Sequence, residues 1–120
     1  EGIDKFVSSN IRFKDPFNEF SGLNDFRHLL FKILNDFKDP IFTVTHRAWS
    51  HNILFLRWSF KGQIRWLNHW AVEGMSEIRF DDQGLVCQHI DYWDASEQFY
   101  AKLPLIGTII RLIRRRLKTS

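Results

Sequence analysis

The chain has 120 residues, 44% of them apolar and 16% aromatic, a length that supports one domain with one sizeable core. No apolar run approaches the roughly 18 residues that a membrane-crossing helix needs. The net charge of +3 sits at the end of the chain, in Arg111, Arg114, Arg115, Arg116 and Lys118; the remainder is slightly acidic, so no nucleic-acid-binding body is indicated.

The opening stretch "EGIDKFVSSN" has neither a basic n-region nor an apolar h-region, so it does not read as a signal peptide. The lone cysteine, Cys87, allows no internal disulfide and fits a reducing compartment; a cytoplasmic protein is the expectation. "FKDPF" (13–17) then places Asp15 between two phenylalanines and against a proline. Desolvating a carboxylate costs free energy. Asp15 therefore either caps a turn ahead of Pro16 or is kept for proton transfer.

"SGLNDFRHLLFKILNDFKDP" reads as a helix, with Asn24 as its cap, Phe26, Leu29, Leu30, Ile33, Leu34 and Phe37 at helical spacing, and Pro40 as its stop. The period then changes to two. Strands are expected at 41–49, 53–61, 65–80 and 85–93. "SHN" and "DDQG" form turns between them, and Gly62 and Gln63 belong to the next loop. Gly74 is expected to bend the long third strand or make a bulge. Alternation puts Trp70, Val72, Gly74, Ser76 and Ile78 on one buried face, away from Glu73, Met75, Glu77 and Arg79. Leu54, Leu56, Trp58 and Phe60 form a matching stripe, while Cys87, His89, Asp91 and Trp93 share one side of the last strand. A helix followed by consecutive strands with short turns implies an α+β fold, a cone-shaped curved antiparallel sheet wrapped around helices. Such a cone can hold a pocket.

"FKDPF", the helix after "SGL", and "EGMSEIRFDDQG" leading into "HIDYWD" together resemble the SnoaL-like branch of the nuclear transport factor 2 superfamily, related to ketosteroid isomerase and met in bacteria. The resemblance covers residues 1–103, with 104–120 as a basic amphipathic C-terminal helix. It implies that Asp15-Pro16 matches the isomerases' general base, and that Ser76 stands where they carry a second carboxylic acid. It also implies that Trp93 is the aromatic residue closing the last strand. The tyrosine of the isomerase site lies on a first helix that would precede residue 1, so an N-terminal truncation is expected. The superfamily carries isomerases, hydrolases, cyclases and binders on one cone, so the resemblance bears on fold more than on function.

Two functions follow as expectations. The first is binding of a small hydrophobic molecule in an internal pocket, with Asp15 as catalytic base in isomerase-type proton transfer. Each lost oxyanion donor would cost on the order of 10²–10³ in rate, and Ser76 replaces one such donor. The second is a non-catalytic ligand-binding or protein-interaction module. Either way the pocket is expected to involve Phe13, Phe17, Leu56, Trp58, Trp70 and Val72, together with Ser76, Ile78, His89, Asp91 and Trp93. Asp94 reads as the cap of a helix in "ASEQFYAKL", and Arg57 or Arg79 would be needed for any Asp-Arg-Asp hydrolase set. His46, His51, His69 and His89 show no ligand spacing, so neither metal nor cofactor is expected. A homodimer is expected, and residues 105–118 carry an apolar stripe that either closes the cone or rests on an anionic membrane surface.

Overall fold

The computed structural model describes residues 3–64, 67–94 and 115–118. After a short 3₁₀ turn at Ile3–Lys5 come β1 (Val7–Lys14), β2 (Glu19–Ser21), α1 (Leu23–Asp36), β3 (Phe37–Ser50), β4 (Ile53–Ile64), β5 (Leu67–Phe80) and β6 (Val86–Tyr92). The six strands form one curved sheet in the order β2-β1-β6-β5-β4-β3. This is the expected α+β roll, with one refinement: β1 and β6 are parallel, while every other pair is antiparallel. Parallel neighbours need a long connection, and here α1 and four strands lie between them.

Strands β1 and β2 are additions to the sequence reading. "VSSNIRFK" hides its alternation because the β1–β6 register shifts between Val7 and Arg12, where the Ser8 hydroxyl donates to the Asn10 side chain. "FKDPF" is the turn joining them. Asp15 N–H donates to Asn18 O at 2.9 Å.

Helix α1 begins after Gly22, at φ 106°, with no side-chain cap. Asn24 therefore lies inside the first turn instead of capping it, a correction to the expected cap. The helix stops at Asp36, four residues before Pro40, because Phe37 turns extended and its ring packs against Phe60 and Trp70 at 5.0 and 5.6 Å. Residues 37–40 thus extend β3. Gly62 and Gln63, expected in a loop, lie within β4.

Two apolar clusters hold the sheet. Val7, Ile11, Phe13 and Phe26 fasten α1 to β1; Trp58, Ile64, Trp70 and Val72 pack on the concave side of β4 and β5. Burying a side chain of the size of Phe13 contributes about 1.5–3 kcal/mol. The alternation expected for β4 and β5 is present, with Trp58, Trp70, Val72 and Ser76 buried and Arg57, Glu73 and Met75 exposed. Gly74, however, makes no bulge. The β4–β5 register runs unbroken past Trp58↔Gly74 and shifts only near Gln63. What requires glycine is a close approach: a Cβ there would stand 2.7 Å from both the Trp58 ring and the Tyr92 carbonyl.

Beyond Asp94, the expected helix in "ASEQFYAKL" and, up to residue 114, the expected helix at 104–120 lie outside the described residues. Residues 115–117 are helical and exposed. No helix among the described residues is long and apolar enough to cross a membrane.

Candidate functional site

Register assembles the polar centre. In the β4–β5–β6 layer, Ser76 stands opposite both Leu56 and Asp91, and Ile78 opposite His89. Antiparallel partners share a face, so Ser76, Asp91 and His89 converge on the concave side. Trp58, paired with Gly74, sweeps its indole across the space that the missing side chain leaves and reaches Ser76.

The hydrogen bonds there form a chain with one consistent direction. Trp58 Nε1–H donates to Ser76 Oγ at 2.7 Å. An indole N–H can only donate, so Ser76 accepts it and its own proton goes onward, to Asp91 Oδ1 at 2.5 Å. His89 Nε2 lies 2.7 Å from the same oxygen. A carboxylate only accepts, so Nε2 carries the proton in this contact. Asp91 Oδ1 therefore receives two donors, and Ser76 at the centre is 3% exposed. The His89 and Asp91 side chains are 23% and 22% exposed, so the pair is partly shielded yet reachable from solvent. Phe13 and Phe26 pack beside the imidazole at 5.3 and 6.4 Å.

Asp91 also lines an open cleft of about 620 Å³ between the β1–β2 turn and the end of β6. Its walls are Lys14, Asp15, Pro16 and residues 90–94. Trp93 anchors the apolar side, its ring 5.3 Å from Phe17 and 5.4 Å from Trp70.

Asp15 shares this cleft, but its oxygens serve the turn. Oδ1 accepts from the backbone N–H of Phe17 at 2.8 Å and of Asn18 at 2.6 Å, and the Asn18 amide spans both oxygens. The turn-capping role weighed from the sequence is thus what its hydrogen bonds describe. Of the other expected pocket residues, Trp70 and Val72 are buried in the core cluster, Leu56 packs against it, Ile78 is half-buried and Phe17 is exposed. Arg57 pairs with Glu73 at 3.1 Å on the outer face, away from the cleft. His46, His51 and His69 are exposed, and no metal-ligating cluster occurs among the described residues. Asp94 lines the cleft; the helix it was expected to cap lies outside the described residues.

On the outer face, partial burial first and then the Glu77 carboxylate, which accepts from its hydroxyl, raise the Tyr92 phenol above its ordinary 10.0. Sequence reasoning missed Lys14 and Pro16 as cleft residues because β1 itself was not foreseen, and Ile90 and Tyr92 because parity put them on the other side of the last strand. It also placed His89 and Asp91 in the pocket without seeing that they act on one oxygen. The i, i+2 pair facing a buried serine was the available signal.

The fold defines the class: a curved-sheet cone of the kind found in nuclear transport factor 2-like and SnoaL-like proteins. An NTF2-like protein of unknown function from Exiguobacterium sp. 255-15 superposes with a TM-score of 0.69 at 15% identity, over 75% of this chain and 78% of that one. A candidate SnoaL-like polyketide cyclase from Jannaschia sp. CCS1 gives 0.66 at 10% identity, over 77% and 69%. An LEH-like epoxide hydrolase from M. tuberculosis gives 0.69 at 14% identity, over 93% and 81%. At such identities the likeness establishes the fold. More specifically, the chain belongs to the family described as "Uncharacterized conserved protein (DUF2358)", whose model matches residues 4–89. A search of the curated proteins returned no match.

Proposed function

We propose that this protein binds a small molecule with an apolar body in the cleft between the β1–β2 turn and the end of β6, and that Asp91 receives a hydrogen-bond donor from it. The observation that carries this reading is a carboxylate lining an open cleft while two neighbours fix one of its oxygens, Ser76 at 2.5 Å and His89 at 2.7 Å. Such preorganisation lowers the cost of binding, because the receiving group is already immobile.

The donor count favours binding over isomerase chemistry. An enolate needs donors aimed at its oxygen, each contributing about 10²–10³ in rate. Around Asp91 the Trp58, Ser76 and His89 Nε2 protons are all directed inward along the chain. A second reading, proton transfer to a carboxylate, rests on the fixed orientation of Asp91; Asp15, on the same cleft, is its alternative base. Cytoplasmic residence, a homodimer, and contact of residues 105–118 with anionic membrane belong to this proposal as well. The membrane part is tested by deleting residues 108–120, which should end co-sedimentation with anionic vesicles.

The cleft itself is tested by titrating a library of small aromatic fragments into ¹⁵N-labelled protein. Binders should shift the backbone amides of residues 14–15 and 90–94. Shifts confined to the outer sheet face, or no shifts at all, would refute the reading.

A further inference from the structure

We infer that the cleft's ligand is a cation, an amine or ammonium compound carrying an aromatic or aliphatic body. This rests on the cleft being a binding site and goes further by naming the class of molecule it takes. The argument is one of complementarity. With its donors turned inward, the chain from Trp58 to Asp91 presents an acceptor to the cleft and withholds a donor. Asp15 adds a second carboxylate to the cleft walls. Its hydrogen bonds come from neutral amides, which satisfy its oxygens and leave its charge in place. An anionic ligand would meet both carboxylates with no donor offered by the polar centre. A neutral donor would gain a hydrogen bond to Asp91 and its apolar contact, without the charge attraction that strengthens a cation's bond.

Among the described residues, Lys14 is the basic residue of the cleft walls. It is exposed, and it follows Phe13, whose buried ring packs on His89. Strand alternation therefore sends Lys14 to the face opposite Asp91. The apolar wall suits a cation too. Trp93, edge to face with Phe17 at 5.3 Å, lines the cleft, and an ammonium within about 6 Å of a ring centroid is attracted by its quadrupole.

Three probes of one shape separate the possibilities: benzylamine, benzyl alcohol and benzoate, each titrated at pH 7 into ¹⁵N-labelled protein. Benzylamine, cationic at this pH, should bind about tenfold tighter than benzyl alcohol, and benzoate weakest, since one carboxylate contact of modest strength is a tenfold effect. Asp91→Asn should reduce the preference for benzylamine over benzyl alcohol at least threefold, roughly half of that discrimination in free energy. Asp15→Asn, which keeps the turn's acceptor, should reduce it less. If benzyl alcohol or benzoate binds as tightly as benzylamine at the same amides, the cation assignment falls and the cleft remains a binding site. If none of the three shifts the amides of residues 90–94, the binding reading falls with it.

Discussion

Ser76 shows how much one buried hydroxyl can fix. It accepts from Trp58 and donates to Asp91, so no neutral apolar residue can replace both roles. Ser76→Ala should leave the indole N–H without an acceptor in a site 3% exposed, a loss of about 1–3 kcal/mol in urea unfolding. Trp58→Phe removes the donor along with the need for it, and should cost less through hydrogen bonding while losing some packing. Asp15 tests the opposite case. Asn preserves the Oδ1 acceptor of the turn, so Asp15→Asn should change stability by under about 0.5 kcal/mol, whereas Asp15→Ala should cost roughly 1 kcal/mol. Tyr92 gives a pH signature. Its folded value is raised, so the stabilisation it contributes is whole below pH 10.0 and is lost as pH rises through the folded value. Glu77→Gln should bring the phenol's absorbance titration down towards 10.0.

At the scale of elements, β4 and β5 could be read from their sequences because each alternates cleanly between a covered and a wet face. The helix could be read from its apolar spacing, though its end could not. Local propensity carries 37–40 with the helix, while Phe37 gains more by packing on Phe60 and Trp70 as a strand residue. Strand β1 was invisible for a different reason: its register breaks between Val7 and Arg12, so no period of two survives there. The candidate site was half legible. Ser76, His89, Asp91 and Trp93 were all chosen from strand parity or resemblance, yet their convergence depends on cross-strand register, which one strand read alone does not contain. Gly74 is a consequence of that register. Gly74→Ala should destabilise by about 1–3 kcal/mol, because the Trp58 ring and a backbone carbonyl must both give way. Gly84→Ala meets open space and pays only for its φ of +79°, about 1–2 kcal/mol. Urea unfolding of the two variants ranks a steric cost against a backbone one.

For the molecule as a whole, the sheet divides the labour. Its β1–β6 side is closed by α1 through Phe13 and Phe26, and its centre carries the polar chain behind the cleft. Phe31 and Leu34 lie on the outward side of α1, each 68% exposed, so replacing them with serine and glutamine should leave unfolding free energy within about 0.5 kcal/mol. A larger loss would mean that this side of the helix is covered.

The account turns on Asp91 being held by two donors that point at one oxygen. The most direct measurement is the ¹⁵N–¹H spectrum of the His89 ring at neutral pH, in the wild type and in Asp91→Ala. The arrangement predicts a slowly exchanging proton on Nε2 that is lost from view in the variant. A ring protonated on Nδ1 alone, or an Nε2 signal indifferent to the loss of Asp91, would contradict it.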